Sequence, residues 1–407
     1  MKILYVCHRF PYPPKRGGKI RPFNTIKHLS RSHSVTVASL VRTSTEAREA
    51  RGISEHCARF EAGRVYDAAQ VLRMVARLPT RTPSSMGFFY SPNLRKAINA
   101  LFARERFDLI IVHCSSVAQY VEHVQGTPKI LDFGDMDSQK WLEYRKHKPL
   151  LSSLGYWLEG TKLEREEYRL AKRFDFCTTT TRAEWQTLEE YGTGVDSDWF
   201  PNGVDSDYFA PTNEAYNANL ISFIGRMDYY PNQACMNDFC SRTLPLLKRQ
   251  RPDVKLRIIG ADPSRQIRRL AEIPGVTVTG SVEDVRPLVR QSAVMVAPLT
   301  IARGTQNKIL EAMAMGVPVV TSRVAASGVD AVAGEHFLTA GSPEQYAAAI
   351  IGLVENPHER ERLAIAGRAR MLSHHTWDSS MKRLDGIIDR CLTRAAAPRP
   401  APEAGGQ

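Results

Sequence analysis

Short, continuously apolar runs rich in β-branched residues recur along this chain, separated by longer stretches with helical spacing. "KILYVC", "SVTVASLV", "DLIIVH", "KILDFGD" and "FCTTTT" form one series; "LISFIGRMD", "VKLRIIGAD", "VTVTGSV", "AVMVAPL", "VPVVTS" and "HFLTA" form a second. A strand apolar on both faces must be covered on both, and intervening helices do this around a parallel sheet. The expected fold is therefore α/β, with two doubly wound Rossmann-like domains. Length agrees, since 407 residues at 43% hydrophobic exceed one ordinary core and supply two.

Between Pro201 and Asn219 the periodicity lapses into a cluster of Pro, Asn, Gly and Asp, which places the linker there. Domains are expected at 1–205 and 206–375, with an amphipathic helix at 376–394 crossing back onto the first and a disordered Pro/Ala/Gly-rich tail at 395–407.

The seven cysteines show neither disulfide nor zinc spacing, which suits buried thiols in a reducing compartment. The first apolar run is too short for a leader, and no run approaches the roughly 18 apolar residues that span a bilayer. The expected location is cytoplasmic. A net charge of +12 favours an anionic partner, leaving phosphorylated ligands, an anionic membrane face and nucleic acid open. Without a recognisable module of interleaved aromatics, nucleic acid is not expected. The basic and aromatic segment Trp141 to Gly160 reads either as a solvated helix or as a membrane-surface patch.

In open parallel sheets ligands bind beyond the carboxyl ends of the strands, so those loops hold the candidates. After "AVMVAPL" come "TIARGTQ" and the helix "NKILEAMAM", which puts Gly304 and Thr305 at a helix N-terminus, a ready anion site. Lys308 adds charge on the same side, and Glu311 follows on the same face. That pair reads either as an ordinary helix ion pair or as a clamp for a phosphate and two vicinal hydroxyls. "FIGRMDYYPN" ends a strand in Gly225 and Arg226, whose guanidinium suits phosphate oxygens. In the first half, Gly17 and Gly18 form a close-approach loop after the first strand, His113 ends "DLIIVH", and Asp132 and Asp135 end "KILDFGD". Three DxD triplets, at 135–137, 196–198 and 205–207, are too short to assign a metal, and none is expected. No GxGxxG, GxxxxGK[ST] or GxSxG motif is present, so no dinucleotide or other cofactor is expected.

Taken in order, "PNGVDSDYFAP", "FIGRMDYYPN", "TGSVEDVRPLVRQSAVMVAPL" and "RGTQNKILEAMAMGVPVVTS" resemble the retaining glycosyltransferases of family four. "CHRFPYPPKRGGKIRPFN" and "LDFGDMDSQKW" look like the subgroup of sugar transferases associated with the PEP-CTERM/exosortase system and exopolysaccharide gene clusters. The resemblance implies a GT-B architecture, two Rossmann-like domains facing a central cleft, and transfer from a nucleoside-diphosphate sugar, UDP-sugar favoured, to a saccharide or polyprenyl-linked acceptor. It implies that Glu311 holds the donor ribose and that Arg226, Lys308 and the Gly304/Thr305 amides hold the diphosphate. Gly225 would be part of that donor site. His113 would lie beside the donor sugar, with Gly17 and Gly18 near the phosphates. Catalytic roles are thus expected of His113, Arg226 and Lys308, and sugar or acceptor contacts of Asp132, Asp135 and Arg303. Many relatives carry a glutamate where this chain has Arg303, so sugar identity does not carry over. A lipid-linked acceptor implies peripheral association with the inner face of the cytoplasmic membrane. The alternative reading is a sugar-nucleotide epimerase of similar architecture.

Overall fold

The computed structural model describes residues 1–14, 17–146 and 149–396. The chain divides into two compact units: Met1–Thr180 with Glu184–Phe200 and the segment from Met381 onward, and Thr181–Ala183 with Pro201–Ser380. The division thus follows Phe200, a little before the expected 205/206 boundary.

The first unit holds strands β1 (Lys2–Cys7), β2 (Ser34–Val41), β3 (Arg59–Arg64), β4 (Leu109–His113), β5 (Lys129–Gly134), β6 (Phe176–Thr179) and β7 (Asp196–Trp199). They form one sheet of order β3-β2-β1-β4-β5-β6-β7, parallel throughout. The second unit holds β8 (Asn217–Ile224), β9 (Lys255–Ile259), β10 (Val276–Val278), β11 (Ser292–Ala297), β12 (Val319–Thr321) and β13 (Leu338–Thr339) in the order β10-β9-β8-β11-β12-β13, again parallel. Central strands such as β4 and β11 are buried along their whole length, as their uninterrupted apolar sequences require.

Six helices matter below: α1 (Gly17–Leu29), α2 (Asp67–Arg77), α3 (Leu150–Ala171), α4 (Tyr230–Asp238), α5 (Asn307–Ala314) and α6 (Trp377–Ala396). Residues 395 and 396, expected in a disordered tail, close α6 instead. Buried Cys391 and an Arg394–Asp196 ion pair anchor that last turn. The remainder of the expected tail, 397–407, lies outside the described residues. From Met381 on, α6 belongs to the first unit: Arg383 and Arg390 clasp Asp198 of β7 at 2.8 and 2.5 Å, and Asp385 meets His28 of α1 at 2.8 Å.

Candidate functional site

In the second unit the strand order reverses between β8 and β11, which are hydrogen-bonded neighbours. Loops diverge at such a point and leave a crevice at the carboxyl ends of the strands. The loop after β11 turns at Gly304, whose φ of 63° falls in the left-handed region that favours glycine, and then enters α5. A methyl group on Gly328 would overlap the Gly304 carbonyl oxygen, so this turn is held by close backbone packing. Gln306 caps α5 without a side-chain hydrogen bond. Among the described residues, the amides of Thr305, Gln306, Asn307 and Lys308 find no acceptor. Thr305 Oγ1 and Asn307 Oδ1 are buried there and also lack a partner. Unpaired buried polar atoms are costly, and these two oxygens beside open helix-start amides mark this turn as a candidate ligand site.

Lys308 and Glu311 feel each other's charge but form no direct ion pair with each other. Lys308 Nζ instead donates to Asn232 Oδ1 of α4 at 2.7 Å and lies 4.4 Å from the centre of the Phe223 ring. Burial lowers its pKa to about 8. Glu311 accepts no hydrogen bond from the described residues, and burial raises its pKa to about 7. Gly225 completes the wall: a Cβ there would stand 2.7 Å from Asn232 Nδ2 and 3.1 Å from Lys308 Nζ. Asn232, which carries no charge and closes the stretch "FIGRMDYYPN" without a role expected of it there, is therefore the residue that positions the lysine.

Arg226 sits at the same strand end but is exposed, and its fork is occupied. Nε and Nη2 bond Asp228 at 3.0 and 2.6 Å, and Nη2 bonds Asp262 at 2.9 Å. A phosphate would have to share this guanidinium with two carboxylates, a competition invisible in the sequence. Arg303 lies in the loop beside Gly304, and its carbonyl accepts from Gln306 Nε2 at 3.0 Å.

In the first unit the order reverses between β1 and β4. His113, the last residue of β4, bonds Asp132 Oδ2 through Nδ1 at 2.8 Å, which sets its tautomer and leaves Nε2 for other partners. Asp132, expected among the sugar or acceptor contacts, is engaged by other protein groups in this structure. The residue is buried, and Arg21 Nε and Nη2 bind its two oxygens at 2.8 and 3.0 Å. Thr178 Oγ1 and the Gly134 amide also donate to it, at 3.1 and 3.2 Å. With those donors and His113 its lone pairs are filled, and Arg21 with His113 holds its pKa below the usual carboxylate range despite the burial that opposes this. Asp132 is a positioning anion for His113. Asp135 is half-buried and accepts from Thr180 Oγ1 at 2.7 Å. Gly17 and Gly18, read as a loop, are the exposed first two residues of α1; a Cβ on Gly17 would meet nothing within 4 Å, so no protein group approaches it closely.

Two of the DxD triplets have structural duties. Asp196 and Asp198 bind the arginines of α6, and Asp205 Oδ1 accepts from the Tyr208 amide at 2.9 Å. The sequence reading missed a pocket of about 530 Å³ beside the ends of β1, β2 and β3. Its walls include His8, Phe88, a Lys19–Glu46 pair at 2.6 Å and Arg42, whose guanidinium faces Asp67 at 3.6 Å. Those residues come from four separated segments, and no local spacing announces them.

Residues 218–356 match the family model described as glycosyl transferases group 1. The matched segment lies within the second unit. It contains the α5 start, Lys308, Glu311, Arg226 and Asn232. The chain is 30% identical over 210 residues to a phosphatidyl-myo-inositol mannosyltransferase of Mycobacterium leprae, a stretch covering 49% of this chain and 55% of that protein. It is 27% identical over 236 residues to a GDP-mannose-dependent α-(1-6)-phosphatidylinositol monomannoside mannosyltransferase of Mycolicibacterium smegmatis, covering 52% and 61%. The chain thus spans less than two thirds of the length of these relatives. Among solved structures, the fold matches sucrose-phosphate synthase from Thermosynechococcus elongatus with a TM-score of 0.69 at 16% identity, covering 97% of this chain and 100% of that one. The Anabaena protein HepE in complex with UDP matches at 0.68 and 15%, covering 96% and 100%. The two Rossmann-like units are thus the GT-B fold.

Proposed function

We propose that this protein transfers a glycosyl unit from a nucleoside-diphosphate sugar, UDP-sugar favoured, to a hydroxyl of a saccharide or lipid-linked acceptor, with retained anomeric configuration and without a metal. The observation that carries the reading is the start of α5. Four amides without acceptors, two unpartnered buried oxygens, an ammonium and an unbonded carboxylate lie between Thr305 and Glu311. The amides and Lys308 suit a diphosphate whose charge grows as it leaves, and fixed dipoles in a half-dry site stabilise such charge without reorganising. Glu311 suits a ribose, whose vicinal hydroxyls supply the donors it lacks.

Retention on this plan follows a same-face course. The bond from the anomeric carbon to the phosphate oxygen breaks, the acceptor oxygen bonds that carbon from the same side, and the acceptor proton goes to the departing phosphate. No side chain is assigned as base. His113, oriented through Nδ1 by Asp132, offers Nε2 to a sugar hydroxyl. In the first unit, the pocket beside β1 to β3 has its charges largely paired and Phe88 in its wall, which suits an uncharged polyhydroxylated acceptor better than an ionic one. An exopolysaccharide role for the product is consistent with that acceptor. The comparisons name transferases and favour no epimerase.

The test is a melting series in EDTA with UDP, GDP, ADP and TDP, on wild type and Lys308→Ala, because a ligand that binds only the folded state raises its stability. We expect one nucleotide to shift the second unit's transition and the variant to lose the shift. No response to any of the four would sink the donor assignment, and conversion of a free donor without an acceptor would favour the epimerase.

A further inference from the structure

Helix α2 is inside out. Its polar residues face the protein: Gln70 is buried and donates through Nε2 to the Phe88 carbonyl, and Arg73 Nη1 donates to the Tyr90 carbonyl at 3.3 Å. Most of its larger apolar residues face away, while Ala69 and Met74 are half-buried. Val71, Leu72 and Val75, with Leu78 at the helix end, each keep more than half of their surface exposed, Leu72 as much as 70%. Exposed leucines scattered singly mean little, but a whole apolar helix face turned outward while the arginines turn inward marks an interaction surface.

A second exposed stripe adjoins it. On α3, Leu150, Leu154, Trp157 and Leu158 fall at helical spacing on one face, and Leu150 is 91% exposed. The two helices are locked together at this point. Lys162 of α3, itself buried, donates to the carbonyls of Arg77 and Leu78 at 3.1 and 2.8 Å, and Glu159 accepts from the amides of Ser84 and Ser85 at 2.9 and 2.8 Å. Lys162 lies one turn beyond Leu158, so the junction joins the two apolar stripes.

Charge selects the occupant. From Ala68 to Arg104, and again from Tyr144 to Leu158, the sequence contains no aspartate or glutamate. Arg81 follows α2, and Arg145 and Lys146 precede α3, all exposed, with Lys146 paired to Glu143 at 2.7 Å. Aliphatic and indole side chains flanked by cations, with no carboxylate in either segment, complement the boundary between acyl chains and anionic headgroups. Among the described residues no helix is long and apolar enough to cross a membrane.

We infer that the outward faces of α2 and α3 together dock this protein on an anionic lipid bilayer, inserting Val71, Leu72, Val75, Leu150, Leu154 and Trp157 at the interface. Helix α2 also supplies Asp67 and Gln70 to the 530 Å³ pocket, so the element that touches lipid is the element that lines the acceptor pocket. That link rests on the proposed transfer to a lipid-linked acceptor; the docking surface itself does not.

The experiment is co-sedimentation of the full chain with vesicles of phosphatidylcholine alone and of phosphatidylcholine with phosphatidylglycerol. It compares wild type, Val71→Ser/Leu72→Ser/Val75→Ser and Leu150→Ser/Leu154→Ser. We expect wild type to pellet with the anionic vesicles and each variant to lose binding by on the order of tenfold or more, because each removes inserted aliphatic area. Melting of the variants should match wild type, since the altered side chains are exposed, and their nucleotide-induced shifts should persist. Recovery of wild type in both supernatants would overturn the proposal, as would variants that bind like wild type. Concentration-dependent self-association, lost in the variants while nothing pellets, would overturn it in favour of a second copy of the chain. Equal binding to both vesicle types would overturn the requirement for anionic lipid. Nucleotide melts on the same preparations separate failure of this surface from failure of the donor reading.

Discussion

Replacing Glu311 by glutamine should make the free protein more stable and the nucleotide complex weaker. The carboxylate's pKa is raised from 4.5 to about 7 by burial, with only Lys308 opposing that shift, and it bonds to nothing in the described structure. A raised carboxylate pKa means that between pH 4.5 and 7 the folded state holds the proton that the unfolded state gives up. Stability of the second unit therefore falls as pH rises through that window and stays low above it. At about 1.4 kcal/mol per pH unit the full shift amounts to about 3 kcal/mol. Because the side chain is half-buried rather than sealed, we expect about 1–3 kcal/mol at pH 8. For a unit of this size that is roughly 2–10 °C in melting temperature. Calorimetry at pH 5 and pH 8 checks it: the variant should gain at pH 8, show little difference at pH 5, and no longer respond to the nucleoside diphosphate that shifts wild type. A variant no more stable than wild type at pH 8 would refute the account of Glu311 as an unpartnered buried acid, and a retained nucleotide shift would refute its role in binding.

Arg21→Met leaves Asp132 buried with its principal counter-charge gone, and should cost about 3–5 kcal/mol in the first unit, read as a lowered calorimetric transition. Because Asp132 has a depressed pKa, the stability it contributes in wild type is present above its unfolded value of about 4 and drains away below it; the variant should lack that acid dependence. Gly328→Ala, by pushing on the Gly304 carbonyl, should weaken nucleotide binding more than it weakens the fold, measured by titration calorimetry beside a melt. Arg226→Ala removes an exposed guanidinium and should change stability by less than about 1 kcal/mol. It should still reduce diphosphate affinity, and an unchanged affinity would return Arg226 to a surface role. Arg303→Ala should shift donor preference between neutral and uronic acid sugars in a competition assay if its charge meets the donor.

The sheets and the α5 site were legible for one reason. Central parallel strands are buried on both faces, so β1, β4 and β11 stand out as nearly unbroken apolar runs. The α5 site rests on elements adjacent in sequence: a strand, a glycine turn, a helix start and two side chains one turn apart. The edge strands of the first sheet escaped. β3 ("RFEAGR") and β7 ("DSDW") close the two ends of the first sheet, where one side lacks a strand neighbour and polar residues are tolerated. The edge strands of the second sheet, β10 and β13, fall within the expected runs "VTVTGSV" and "HFLTA", though β13 is only two residues long.

What the sequence by itself determined is thus the local and the periodic: two parallel α/β series, the anion-binding helix start, and the helical phase that puts Lys308 and Glu311 on one face. What only the tertiary structure decided is which groups those residues meet. Lys308 turns to Asn232 and leaves Glu311 alone; Arg226 is shared between Asp228 and Asp262; Asp132 is consumed by Arg21, a residue 111 positions away. Helix α2 looks in sequence like any amphipathic core helix, and only its packing shows that the apolar side faces out. The physical reason is common to all four. Periodicity records which side of an element differs from the other, whereas the partner of a charge or an apolar face is set by distant segments that the fold brings beside it.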